Sequence, residues 1–306
     1  MPSLRTVLGS FAVVSVALVL ASCGASGDPS STAVTSEQAP TTADRDETVA
    51  KLVPARYAST GTLSAGVFNG RFAPMIVDGS TSGRITGADS DFINAIAQVM
   101  GLKARLEPTT FDSILPGVQE GKYDTGISAI TDTRDREKTV DLVTYMKAGT
   151  SFFDRANAPS GVEKPADLCG KKLAVLANTT QAALGASQSR KCEKAGNSKV
   201  EVLESSAEDL SQVAGWLKSG RVEVAMTDSP PASYEVMRSN GALTLSGEPF
   251  DVAPYGVAIA KDSGLAGPVV AAVQKLMADG QYKAILDKWG LQASSIEDPE
   301  INGAVN

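Results

Sequence analysis

From about residue 60 onward, the apolar residues of this chain keep one of two rhythms, short unbroken runs or stripes recurring at every third and fourth position, and the two alternate. Runs of the first kind fit buried strands, and stripes fit helices with one face turned inward. Leu63 to Phe68 and Ala104 to Glu107 read as strands. Between them Phe92, Ile93, Ile96, Ala97 and Met100 share one helical face, with Gly101 as the stop. A second set of strands is predicted at Leu173 to Leu176, Val200 to Leu203 and Val222 to Met226. The helix between the last two carries Leu210, Val213, Ala214 and Leu217, with Ser205 and Glu208 as an expected capping box and Gly220 as its close. After a strand from Tyr255 to Ala260, two helices run through Val270, Val273 and Leu276, then through Tyr282, Ile285, Leu286 and Trp289. Glycines follow both, at Gly280 and Gly290. Strands alternating with amphipathic helices predict an α/β sheet covered by helices.

The first fifty residues follow neither rhythm. A lone Arg5, an apolar stretch and then Leu20-Ala21-Ser22-Cys23 have the order of an export signal ending in a lipoprotein cleavage site. The apolar stretch is too short for a spanning helix. Residues 1–22 are therefore expected to be removed, leaving Cys23 as a new N-terminus that carries acyl chains such as palmitate and anchors a soluble body to the outer face of a membrane. From residue 24 to about 50 the chain is rich in Ser, Thr, Ala, Pro and Asp with few large apolar residues, so residues 23–50 are expected to be a flexible tether.

Composition then removes whole classes of function. The chain has 306 residues and a net charge of −7, which becomes −8 when Arg5, the leader's one charge, leaves. An acidic surface without basic runs gives nucleic acid no purchase. The absence of histidine excludes Ser-His-Asp, Cys-His and histidine-metal chemistry. No glycine-rich phosphate loop is present, so no nucleotide cofactor is expected. Cys169 and Cys192 can pair in an exported compartment, closing a loop worth about 3 kcal/mol. They are too few to make a metal site.

The stretch from Phe111 to Thr150 is the densest in short motifs. Phe111-Asp112-Ser113-Ile114-Leu115-Pro116 is followed by Gly121-Lys122-Tyr123-Asp124, by Ile130-Thr131-Asp132-Thr133, by Arg136, Val140-Asp141 and Tyr145, and by Lys147-Ala148-Gly149-Thr150. This series resembles the family 3 extracellular solute-binding proteins, the amino-acid receptors of ABC importers, and the likeness extends from about Leu63 to Gln292. The resemblance implies a two-lobed, type II periplasmic-binding-protein-like clamp with its ligand cleft between the lobes. Residues 51–152 with 252–306 are expected to form the first lobe and 153–251 the second. The crossings should fall near Thr150 to Arg155 and Glu248 to Pro254, which puts both cysteines inside the second lobe.

A free amino acid carries a carboxylate and an ammonium on neighbouring atoms, and burying either without a partner is costly. A guanidinium meets a carboxylate with two parallel hydrogen bonds. The family pattern, which sets the arginine five residues after a threonine and five before the aspartate of a Val-Asp pair, selects Arg136 with Thr131 and leaves Arg134 as a surface charge. By the same resemblance Ala129 offers its carbonyl to the ammonium, and Thr180 its amide to the carboxylate at the start of a helix. Asp228 is expected to receive the ammonium, with a helix cap as its plainer alternative. Phe72 and Phe111 correspond to rings that flank the ligand side chain, and Asn69 to a residue that reads it. Asn178 stands where relatives often carry glycine, so a left-handed turn must be made by asparagine.

The expectation is thus a monomeric, lipid-anchored receptor on the extracellular face of the cell membrane, binding a polar amino acid and passing it to an ABC permease, without catalysis, cofactor or metal. Two alternatives share these motifs: a dehydratase of cyclic amino-acid precursors on the same scaffold, and a lipoprotein that senses its ligand without transport.

Overall fold

The computed structural model describes residues 43–78, 85–206 and 210–305. The expected leader, Cys23, the tether as far as residue 42, and Glu208 lie outside them. Regular structure begins sooner than composition suggested, because helix α1 spans Glu47–Leu52 inside the expected tether. The Asp46 carboxylate caps it, accepting from the N–H groups of Thr48 at 2.9 Å and Val49 at 3.0 Å. Val49 is buried in the main core. One cap and one buried valine suffice for a segment that leans on an existing core, and an average over composition conceals both.

Helix α2, Ala55–Thr60, leads into β1, Thr62–Phe68, and α3, Ala88–Val99, connects β1 to its parallel neighbour β2, Lys103–Thr109. The start of α3 requires glycine: Gly87 has φ 140°, and a Cβ there would lie 2.0 Å from the Met75 carbonyl oxygen. Then come α4, Phe111–Gln119; the short strand β3, Thr125–Gly126; the single-turn helix α5, Arg134–Glu137; and the long strand β4, Val140–Arg155. Next are β5, Lys172–Leu176; α6, Thr180–Lys194; β6, Glu201–Ser205; α7, Ser211–Lys218; β7, Val224–Asp228; and α8, Ser229–Arg238. A second long strand, β8, covers Leu243–Ala260, followed by α9, Ala266–Ala278, and α10, Gln281–Trp289. Helix α7 begins behind Leu210, so Ser205 does not cap it as expected; the Ser205 hydroxyl donates to Gln212 Oε1 at 2.5 Å instead. No helix among the described residues is long and apolar enough to cross a membrane.

The strands form one sheet in the order β2-β1-β3-β8-β4-β7-β5-β6. Its spine is the antiparallel pair β4 and β8, which stay hydrogen-bonded from Val140 opposite Ala260 to Arg155 opposite Leu243. The pairing slips between Thr144 and Met146, between Ala148 and Thr150, and between Thr150 and Phe152. Such bulges bend and twist a sheet. Side-chain packing changes sides at the same place: Met146, Ala148 and Tyr255 belong to a core with α3, α9 and α10, whereas Phe152 packs with β5 and β7 and Phe153 with α7. The result is the two-lobed clamp implied by the resemblance, with two strands common to both halves. Cys169 and Cys192 are disulfide-bonded, with Cα atoms 5.6 Å apart, and Cys192 is buried in the second core.

Candidate ligand-binding site

Where the spine bends, a cleft of about 220 Å³ opens between the two halves of the sheet. Arg136, Thr131, Ala129, Phe72 and Phe111 line it from one half; Thr180 and Asp228 line it from the other. Asn69 does not line it. Its neighbour Phe68 does, since residues adjacent in extended chain face opposite sides.

Thr133 caps α5, its hydroxyl accepting from the Arg136 N–H at 3.3 Å. The Arg136 side chain is partly buried, and its Nη1 donates to the Thr131 carbonyl at 2.7 Å. Its guanidinium carbon stands 5.6 Å from the Phe111 ring centre, within cation–π range, and Phe68 meets Phe111 edge-on at 6.4 Å. Burial lowers the Arg136 pKa, and the negative charges of Asp228 and Asp132 oppose that fall. Arg134 is exposed, as expected of the arginine that the pattern passed over.

Asp228 ends β7 and occupies the N-cap position of α8, but its side chain makes no capping bond. The carboxylate accepts instead from Gln181 Nε2 at 2.7 Å, and the same amide group donates to Thr150 Oγ1 at 3.1 Å. Burial pushes the Asp228 pKa up to about 6, against the influence of the Tyr255 hydroxyl, Gln181 and Arg136. A carboxylate held this way favours an incoming cation, which would supply the charge that burial denies it.

Two backbone conformations complete the walls. Asn178 has φ 62°, so asparagine does make the left-handed turn before α6. Thr179 then caps that helix, its hydroxyl accepting from the Ala182 N–H at 3.2 Å, and Thr180 is the first helical residue. Ala129 has φ 48°, a strained value for a residue with a Cβ. It is held by the buried Asp89, whose Oδ2 accepts from the Ala129 N–H at 2.8 Å and whose Oδ1 accepts from the Tyr145 hydroxyl at 2.6 Å. Burial raises the Asp89 pKa to about 7 in spite of both bonds.

Sequence reasoning missed Gln181, Phe68 and Asp89. Gln181 follows Thr180 directly in the first turn of a helix, where a polar side chain can turn inward, and that was a usable signal. Nothing local marks Asp89, whose partners lie at positions 129 and 145.

Cleft and fold together define a class, the two-lobed solute-binding clamps. The model of the bacterial extracellular solute-binding proteins, family 3, matches residues 66–292, and the chain belongs to that family of exported proteins. It is 29% identical over 299 residues to the arginine-binding protein ArgT of Corynebacterium glutamicum, spanning 97% of this chain and 96% of that one. It is 32% identical over 214 residues to the ABC transporter glutamine-binding protein GlnH of Bacillus subtilis, covering 68% and 74% of the two chains. Among solved structures, an ancestral arginine-binding protein bound to arginine superposes with a TM-score of 0.65 at 31% identity, over 75% of this chain and 98% of that one.

Proposed function

We propose that this protein is a receptor that closes on one free amino acid and delivers it to an ABC importer from a lipid anchor at Cys23. The carrying observation is that Arg136 and Asp228, from opposite halves of the sheet, share one cleft while neither is in an ion pair among the described residues. The ligand carboxylate pairs with Arg136, Thr131 and the start of α6. Its ammonium goes to Asp228 and the Ala129 carbonyl. Phe68, Phe72 and Phe111 flank the side chain, and the names of the relatives point to arginine and glutamine as the first ligands to try. The volume, below the roughly 300–1,000 Å³ of drug-sized pockets, suits a single amino acid.

Residues 51–152 with 252–306 are the first lobe and 153–251 the second. Packing supports moving the passage from one to the other slightly earlier on β4, to Gly149–Ser151, because Phe152 already packs with the second lobe. Across the cleft, Phe72 packs against cores on both sides, and the Leu210 N–H donates to the Arg71 carbonyl at 3.3 Å. Contacts of this kind are gained on closure, and a ligand that satisfies both of its charges only when the lobes meet shifts the balance toward them.

A dehydratase on the same scaffold draws on one observation, the Asp228 pKa of about 6, which would suit an acid or base. An ammonium bound beside it would pull that pKa back down, so the receptor reading uses the same burial without requiring a reaction. The test is calorimetry of the mature chain against L-arginine, L-glutamine and the other common amino acids, with a turnover assay on cyclic precursors of aromatic amino acids. Heat of binding without turnover supports the receptor. Turnover, or no heat with any amino acid, overturns it.

A further inference from the structure

Residues 293–305 lie beyond the stretch that matches the family, yet Glu300 to Ala304 are firmly bound to the first lobe. The Thr144 N–H donates to the Glu300 carbonyl at 2.9 Å, and the Glu300 N–H returns a bond to Thr144 Oγ1 at 2.8 Å. Two residues on, Asn302 exchanges bonds with Leu142: its N–H donates to the Leu142 carbonyl at 2.8 Å, and its Oδ1 accepts from the Leu142 N–H at 3.0 Å. The chain then leaves β4 and reaches the two acids on either side of Arg136. The Gly303 N–H donates to Asp132 Oδ2 at 2.8 Å, and the Ala304 N–H to Glu137 Oε1 at 3.0 Å.

Asp132 stands close to Glu137, in a place where the charge of Asp132 is costly. Asp132 is buried, and burial first, then the neighbouring Glu137, raises its pKa to about 7, while the positive charge of Arg136 acts the other way. A buried carboxylate deprived of its donors seeks the nearest cation. The cation whose charge already acts on Asp132 is the Arg136 guanidinium, which lines the cleft.

We propose that the C-terminal strap, Glu300 to Ala304, positions Arg136 for the ligand: its peptide N–H groups give Asp132 Oδ2 and Glu137 Oε1 a donor each and so keep these acids from drawing the guanidinium out of the cleft into an ion pair. The strap is a positioning element and touches no ligand itself. The inference rests on the amino-acid reading of the cleft, and its test separates the two.

Calorimetry with L-arginine and L-glutamine would compare the mature chain, the same chain ended after Pro299, and the shortened chain carrying Asp132→Asn. Loss of one charge-assisted bond predicts a roughly tenfold weaker Kd in the shortened chain. Asp132→Asn, by removing the competing charge, should restore most of it, which a merely structural role would not do. Should the shortened chain fail to fold, Asn302→Ala in the full-length chain loosens the strap instead. A loss of a few fold, again relieved by Asp132→Asn, is the expected result. An unchanged Kd in the folded variant, or a loss that Asp132→Asn does not relieve, overturns the proposal. If the unaltered chain binds no amino acid, the receptor reading falls, and the strap's role with it.

Discussion

The two walls of the cleft are built in opposite ways. On the second-lobe wall, the groups come from neighbouring short segments in one continuous stretch of chain: Asn178 to Gln181 turn from β5 into α6, and Asp228 closes β7, the strand paired with β5. A disulfide between Cys169 and Cys192 closes a loop within that stretch. On the first-lobe wall, Ala129, Thr131 and Arg136 are also near one another in sequence, but what holds them is remote. Asp89 reaches Ala129 from the start of α3, and Gly303 and Ala304 reach the acids beside Arg136 from the far end of the chain. The difference teaches that a site can be assembled locally on one side and be governed from a distance on the other.

The strongest way to break this comparison is Arg136→Ala. It removes the one guanidinium that lines the cleft among the described residues, and Kd should rise by two to three orders of magnitude, on the order of 3–4 kcal/mol, with the melting point of the empty protein little changed. Substantial residual affinity in calorimetry would show that the carboxylate binds elsewhere.

Asp228→Asn should weaken binding somewhat less, and it should stabilise the empty protein at pH 7. The folded-state pKa of about 6 lies above the ordinary value of 3.8, so the group's stabilising contribution is complete below pH 3.8 and is lost as pH rises through 6. At neutral pH the native aspartate therefore costs on the order of 3 kcal/mol, which asparagine spares. The melting-point advantage of Asp228→Asn should shrink as pH falls through 6. A constant advantage from pH 8 to pH 4 would contradict the assignment.

Cys169→Ser with Cys192→Ser should cost the second lobe about 3 kcal/mol in denaturant unfolding while leaving the affinity of the folded protein nearly intact. Asp89→Ala should remove about 2 kcal/mol and also weaken binding, because Ala129 loses the bond that holds its strained backbone. If the two changes affect Kd equally, the contrast between a locally built and a remotely governed wall is wrong. The smallest effect is expected of Asn69→Ala, within about 0.5 kcal/mol in affinity, since that residue lies outside the cleft lining.

Much of this was readable in advance because strands and helices are periodic, and periodicity is local. The predicted strands at positions 63, 104, 173, 200 and 222 all exist, with boundaries moved by no more than a few residues. The long spine strands were legible only in part, as Tyr255 to Ala260 from the pattern and as crossings near Thr150 to Arg155 and Glu248 to Pro254 from the resemblance, because they carry polar residues where alternation breaks. Helix α1 was taken for tether because its one buried residue, Val49, depends on a core that no window of sequence contains.

By itself the sequence determined the α/β layering and the exclusion of histidine chemistry, allowed the two cysteines to pair, and through its family resemblance marked Ala129, Thr131, Arg136 and Asp228 as candidates. Only the tertiary structure decided which neighbour faces the cleft, Phe68 and not Asn69, and that Asp228 binds Gln181 in place of capping its helix. It alone brought Asp89 and the C-terminal strap to the arginine wall. The reason is physical: a hydrophobic rhythm is written within a few residues, whereas the partner of a buried polar group is chosen by where the chain comes to lie, and that partner can stand 171 positions away, as Gly303 does from Asp132.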